Sequence, residues 1–377
     1  MPNSSSRRSF LAAGLAGPAL LNPLDPLPFA AETKLDYRLL GKTGLKVTTM
    51  GFGCMITSDG SVIERAADIG INYFDTARGY QNGNCERMVG AALKARRKNL
   101  FVSTKSGAPT KEGALKDLDT SLKELGMDYV DIWYLHGKSK ADQITPELMD
   151  AQNEAKKAGK IRFAGVSLHS GHQEVIPHAA KLNHFDVVLT TYNFAMEPFM
   201  EGLIKTLKDA NIGVVAMKVM AGGQRSKDEK TKGVLSRQGA SLAALKWVLR
   251  NKDLATTIPS ITDNDQFAEN LKAMSAPFGA SDEKVLQARL EEIRPYYCNM
   301  CGACEGTCAK GPPVADVLRF VMYAESYGEF GLGREGFQSL SAGQAAVRCD
   351  ECDHCTVNCP RGLRVAQRVS LAQEYFA

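Results

Sequence analysis

No stretch of this 377-residue chain stays apolar for the roughly twenty residues that a bilayer-spanning helix requires. The nearest approach, from Phe10 to Leu21, is much shorter, so stable membrane insertion is not expected. Charge of one sign is also scarce: 46 Lys and Arg against 42 Asp and Glu leave +4. No basic stripe is interleaved with aromatics, so nucleic acid is not an expected partner. No Gly-x-Gly-x-x-Gly follows an apolar, β-branched run, which removes the usual signature of a doubly wound flavin or dinucleotide module. Acidic residues are missing before Asp25.

That acid-free beginning contains SSRRSFLA at residues 5–12, then a weakly apolar stretch and a Pro-rich linker. A basic pair before a short apolar core resembles a twin-arginine export signal. It implies a leader over residues 1–31 and a periplasmic or other extracytoplasmic location. If the signal does not function, the protein is cytoplasmic.

Cysteine is not scarce. Two runs share one spacing: Cys298, Cys301, Cys304, Cys308, and then Cys349, Cys352, Cys355, Cys359 with Pro360 following. Zinc ribbons use two Cys-x2-Cys pairs and have no role for the third and fourth cysteines at these offsets, and disulfide frameworks belong to much shorter chains. The doubled Cys-x2-Cys-x2-Cys-x3-Cys pattern resembles a bacterial two-cluster ferredoxin, in which the fourth cysteine of each run ligates the other cluster. Carried over, Cys298, Cys301, Cys304 and Cys359 hold one 4Fe-4S cluster, and Cys349, Cys352, Cys355 and Cys308 hold the other. The aromatic-rich VLRFVMYAESYGEF between the runs is then a helix and loop docked on the preceding domain. Cys54 and Cys85 stand outside the pattern and read as buried thiols.

Between residues 36 and 275 the chain keeps a βα rhythm. Apolar, β-branched runs end at GFG53, YFDT76, FVSTK105, DIWYLH136, FAGVSLH169, VVLTTYN193, VVAMK218 and TTIPS260, with helical patterns between most of them. Eight such units predict a parallel (β/α)8 barrel, an α/β fold whose active sites gather at the C-terminal ends of the strands. Residues 290–377 are left for a small ferredoxin-like two-cluster domain. Asp75, Lys105 and His136 close strands two, three and four, and Tyr80 lies in the loop after Asp75. A phenol near a lysine can have its pKa lowered toward useful proton donation, Asp75 can hold Lys105 in place, and His136 can hydrogen-bond a carbonyl oxygen that gains negative charge.

FDTARGY, STK and DYVDIWYLH together resemble the aldo-keto reductases, and the resemblance runs from GKTGLKVTTMGFG to IPSITDNDQFAEN. It implies an NADP- or NAD-dependent oxidoreductase of carbonyls or alcohols, with Tyr80 as general acid and Asp75, Lys105 and His136 completing a tetrad. Members with a C-terminal ferredoxin-like module form a subgroup, and VVAMKVMAGG looks like its seventh strand, ending at the cofactor-binding candidate Lys218, with Met217 where a nicotinamide-stacking tyrosine is common. Ser167 matches the serine that binds the carboxamide, while Leu168 and Leu189 stand where an Asn and a Gln are frequent. Glu269 and Asn270 match residues used near the adenine. Ser260 and Gln266 replace the Lys and Arg that often bind a 2′-phosphate, which leaves NADP against NAD open. Lys227, Lys230 and Lys232 lie in a loop that either covers a pyrophosphate or is simply solvated.

The sequence therefore predicts an exported aldo-keto reductase-like oxidoreductase using NAD(P) and two 4Fe-4S clusters on a small carbonyl or alcohol, with a redox partner protein as a possible associate. A different reading makes the barrel catalytically silent and the protein an electron-transfer or binding subunit. In a third, the clusters are purely architectural.

Overall fold

The apolar runs become strands that end at the polar residues singled out above. A computed structural model describes residues 34–196, 198–222, 239–349, 351–352 and 354–376. The expected leader and the Lys227, Lys230 and Lys232 segment lie outside the described residues. A short antiparallel hairpin, β1 (Tyr37–Leu39) and β2 (Lys46–Thr48), comes first. Eight parallel strands follow: β3 (Phe52–Gly53), β4 (Tyr73–Asp75), β5 (Phe101–Ser106), β6 (Val130–Leu135), β7 (Ile161–Leu168), β8 (Val187–Thr191), β9 (Gly213–Met217) and β10 (Thr256–Thr257). They lie side by side in chain order. Bridges from Met50 to Thr257 and from Gly53 to Ser260 close the sheet into a barrel. That closure needs glycine, because a Cβ on residue 53 would sit 2.6 Å from the Ile258 carbonyl oxygen.

The strand interior is filled rather than hollow. Tyr73, Ile132, Tyr134, Val187, Leu189 and Val215 point inward, and Leu40, Leu45 and Val47 of the hairpin region join the same cluster. Buried phenols need partners: the Tyr73 and Tyr134 hydroxyls lie 2.8 Å apart, and Tyr73 also donates to Ser103 Oγ at 3.2 Å. Leu189, which stands where relatives often place a glutamine, is thus part of this packed plug. Its truncation to Ala would cost about 2–5 kcal/mol in transfer and cavity terms.

Helices α1 (Gly60–Ile69), α2 (Asn84–Leu93), α3 (Lys111–Leu125), α4 (Pro146–Lys157), α5 (His172–Lys181), α6 (Phe199–Asp209), α7 (Ala240–Arg250) and α8 (Asn264–Leu271) accompany the barrel. Their starts follow local chemistry. Thr110 accepts from Gly113 N, Thr145 accepts from Leu148 N with Pro146 in the first turn, and Asp263 accepts from Gln266 N, each satisfying an orphan amide worth about 1 kcal/mol.

After α9 (Ala280–Ile293) the cysteine-bearing segment contributes α10 (Val314–Ser326), α11 (Phe330–Gln338), α12 (Ala342–Ala345) and α13 (Val365–Phe376). Val317, Leu318, Val321, Val369 and Phe376 form a second apolar core, which also contains Ala195 and Ala221 from the loops after β8 and β9. This segment therefore packs against loops at the C-terminal end of the barrel, where barrel active sites lie. The expected helix within VLRFVMYAESYGEF is α10. Among the described residues, no helix is both long and apolar enough to cross a membrane.

Candidate active site and cysteine cavity

Asp75, at the end of β4, and Lys105, near the end of β5, are both buried and meet at 2.5 Å. Lys105 Nζ also donates to the Thr76 carbonyl at 2.7 Å, and Ser103 Oγ donates to the other Asp75 oxygen at 2.6 Å. Parallel register brings these groups together, since Asp75 pairs with Ser103 across β4 and β5. Tyr80 follows in the loop, with Lys105 Nζ 4.8 Å from its ring centroid. His136, just past β6, stands edge-on to Tyr80 with ring centroids 6.0 Å apart. The four expected residues therefore form one cluster.

One electrostatic expectation is corrected. Lys105 was expected to lower the Tyr80 pKa, but burial raises it well above 10, and the Asp75 charge raises it further. The physical reason is that the ammonium is already engaged by the Asp75 carboxylate and the Thr76 carbonyl. In this geometry Tyr80 holds its proton firmly. Burial lowers the His136 pKa to about 3, assisted by Lys105 and Arg319, so the imidazole is neutral at ordinary pH.

Asp75 and Tyr80 open into a cavity of about 110 Å³ that Lys218, Ser260, Gln266, Glu269 and Asn270 also line. Four residues expected near a nucleotide, Lys218, Ser260, Glu269 and Asn270, thus share a space with the proton-donor candidate. Gln266 is turned inward on its own loop, accepting from Thr262 N at 3.2 Å. Ser167 is not in the lining: it is fully buried, and its Oγ accepts from Gly137 N at 3.0 Å. Leu168 packs into the main apolar core.

A family model described as the aldo/keto reductase family matches residues 58–290, more than half of the chain. The chain belongs to the aldo/keto reductase family. An uncharacterised oxidoreductase of Bacillus subtilis is 28% identical over 300 residues, spanning 68% of this chain and 96% of its own length. L-galactose dehydrogenase of Arabidopsis thaliana is 29% identical over 285 residues, 64% of this chain and 89% of its own. The holo form of an aldo-keto reductase from Bacillus halodurans superposes with a TM-score of 0.59 at 27% identity, covering 68% of this chain and 96% of that one. As an aldo-keto reductase, the protein is an oxidoreductase built on a barrel. The family match stops at residue 290, ahead of the cysteine segment.

Several residues of this aldo-keto reductase site were not foreseen. His169 lines the cavity, is 8% exposed, and stands 6.1 Å from His136 between ring centroids. Tyr327, just beyond α10, lines it too. Tyr323 on α10 accepts a hydrogen bond from Lys218 Nζ at 3.3 Å. The i, i+4 spacing of Arg319, Tyr323 and Tyr327 in the sequence was the available signal, because it places all three on one face of a helix.

The cysteines fall into two groups. Cys298, Cys301, Cys304 and Cys359 line a second small cavity together with Leu318, Leu363 and Val365. Burial raises the Cys298 thiol to about 12 and the Cys304 thiol to about 11, with neighbouring cysteines adding to each. Cys349 in turn feels Cys352, Cys308 and Cys355. Cys359 thus lies with the first run, and Cys308 acts on Cys349 of the second, the grouping that the ferredoxin resemblance implies. Among the described residues no three His, Cys, Asp or Glu side chains close around a single metal ion. A cubane spreads its thiolates over four irons, and four thiols around an apolar hollow fit that larger group in donor chemistry and in number.

Proposed function

We propose that this protein is an exported NAD(P)-dependent aldo-keto reductase that acts on a small carbonyl or alcohol and carries two 4Fe-4S clusters. The observation that carries the reading is the shared cavity, in which Asp75 and Tyr80 face Lys218, Ser260, Glu269 and Asn270. When bound, NAD(P)H would supply the hydride and the clusters one-electron exchange. Lys218, Ser260, Glu269 and Asn270 would hold the nucleotide. Cys298, Cys301, Cys304 and Cys359 would hold one cluster, and Cys349, Cys352, Cys355 and Cys308 the other.

The protein's own part is acid catalysis. Neutral His136 donates a hydrogen bond to the substrate carbonyl oxygen, and Tyr80 delivers its proton there as negative charge develops. A phenol with a raised pKa is a weak acid toward a neutral carbonyl and a competent one toward an alkoxide, so it releases its proton late in the reaction. The Asp75–Lys105 pair fixes the floor against which Tyr80 rests. Export rests on the Arg7–Arg8 leader, and a folded, cluster-bearing chain suits the twin-arginine route.

The test is anaerobic purification from the periplasm, followed by iron and sulfide analysis, release of bound nucleotide, and assay of carbonyl reduction. Iron near eight per chain together with NAD(P)H-dependent reduction supports the proposal. Zinc in place of iron, or a double Arg7→Lys, Arg8→Lys change that leaves export intact, contradicts the corresponding part. Nucleotide-free protein that passes electrons from its clusters to an acceptor establishes instead an electron-transfer subunit on a silent barrel.

A further inference from the structure

Positive charge is concentrated around the two imidazoles at the barrel mouth. Lys105, Arg319, Lys138 and Lys218 all act electrostatically on His136, and Arg319 and Lys218 also act on His169. The nearby carboxylates are largely committed. Asp75 holds Lys105, Asp316 holds Arg319 Nη2 at 3.0 Å, and Glu305, which also feels Arg319, accepts from Ala315 N at 3.1 Å. Lys218 leans on aromatic faces instead, with Nζ 4.5 Å from the Tyr323 ring centroid and 5.4 Å from that of Tyr327. Burial and the Arg319 charge together lower its pKa well below 10.5. A desolvated cation facing further cations is a costly arrangement that an anion would relieve.

Two buried nitrogen atoms in this electrostatic neighbourhood have no hydrogen-bond partner among the described residues. His169 Nδ1 is buried without a hydrogen bond, and His169 lines the cavity. Arg319 Nε is buried without one as well, although Nη2 on the same edge of the guanidinium holds Asp316. Leaving a buried donor unmet costs about 1–3 kcal/mol. Arg319 and Tyr323 sit one turn apart on α10, and the Tyr323 hydroxyl touches Lys218, so Arg319 shares the helix face that meets Lys218.

We propose that the substrate of this enzyme is an anionic carbonyl compound whose carboxylate or phosphate ester seats between Arg319 and His169, with Lys218 beside it. A guanidinium N–H and an imidazole N–H are directional donors for such a group, where an ammonium makes a point contact. Arg319 lies outside the stretch matched by the family model, so charge selection is supplied by the cysteine-bearing segment rather than by the barrel. This inference rests on the carbonyl reductase reading proposed above.

The test compares charged and neutral substrates in the cluster-loaded full chain: 4-carboxybenzaldehyde against 4-nitrobenzaldehyde, and glyceraldehyde 3-phosphate against glyceraldehyde. The wild type should favour at least one charged member by about tenfold or more in kcat/KM. Arg319→Met should collapse that ratio through KM of the charged member, and Arg319→Lys should restore part of it. A preference within one pair and not the other tells carboxylate from phosphate. No preference in either pair, or an equal loss for charged and neutral members, overturns the inference. If no aldehyde is reduced at all, the reductase reading fails, and calorimetric titration decides the inference separately with 4-carboxybenzyl alcohol against 4-nitrobenzyl alcohol and glycerol 3-phosphate against glycerol. Tighter binding of a charged member that Arg319→Met abolishes upholds the anion site, and equal binding overturns it.

Discussion

Breaking the Asp75–Lys105 pair from either side should destabilise the barrel by similar amounts at neutral pH but with opposite pH dependence. Both groups are almost fully buried, at 2% and 1% side-chain exposure, and meet at 2.5 Å. Removing one partner from such a pair leaves an uncompensated buried charge, at a cost of about 3–5 kcal/mol. In Lys105→Met the stranded group is the Asp75 carboxylate, which keeps only its bond from Ser103 Oγ. Burial already raises the Asp75 pKa against the pull of Lys105, and without the lysine it rises further. The folded state then binds more protons than the unfolded one above about pH 4, so stability falls as pH increases. In Asp75→Asn the stranded group is the Lys105 ammonium, and a buried cation without its counter-charge favours the neutral form. The unfolded state then binds more protons, and stability rises with pH. Each slope is limited to about 1.4 kcal/mol per pH unit. Urea unfolding followed by tryptophan fluorescence reads this cleanly, because the chain's two tryptophans, Trp133 and Trp247, both belong to the barrel. Parallel pH slopes for the two variants, or losses below about 1 kcal/mol in both, would refute the reasoning.

Tyr80→Phe should lower kcat for carbonyl reduction by roughly 10²–10⁴ while leaving nucleotide affinity, followed by fluorescence quenching, nearly unchanged; undiminished turnover removes Tyr80 from the mechanism. Because burial lowers the His136 pKa to about 3, the kcat/KM profile should show no histidine limb between about pH 5 and 9. An inflection near pH 6.5 that vanishes in His136→Gln would count against a neutral imidazole. Cys308→Ser should damage mainly the cluster carried by Cys349, Cys352 and Cys355, and Cys359→Ser mainly the other, as read by iron content and paramagnetic resonance after reduction. Damage confined to each variant's own run would mean that the ligands do not cross.

Strand positions were legible because a barrel strand is buried on both faces and so appears as an apolar β-branched run. Six of the eight run ends coincide with or lie next to strand ends, while Asn193 and Ser260 lie two and three residues beyond β8 and β10. The β1–β2 hairpin was not legible: its strands are only three residues long, and neither alternates exposed with buried residues. Asp75, Tyr80, Lys105 and His136 were recoverable because each occupies a strand end or the loop just after one. The Tyr80 pKa direction was not, since it depends on how completely the phenol is desolvated and on Asp75 neutralising the neighbouring lysine. Nor did the sequence place Arg319 beside His136, because a docking of α10 on the barrel mouth is a tertiary fact with no local signature. Leu189 looked like a lost nucleotide contact and is a core residue. Ser167 has its hydroxyl engaged by the backbone of the loop after β6.

The most direct test of the account is isotope transfer. The cluster-loaded protein is given NADH or NADPH carrying deuterium at the transferable C4 position, together with an aldehyde, and the alcohol product is examined by mass spectrometry and NMR. One deuterium per turnover at the carbinol carbon is the expected result, at a rate lowered roughly 10²–10⁴-fold in Tyr80→Phe. Binding of nucleotide without deuterium in any product, alongside electron flow from the clusters to an acceptor, would contradict the account.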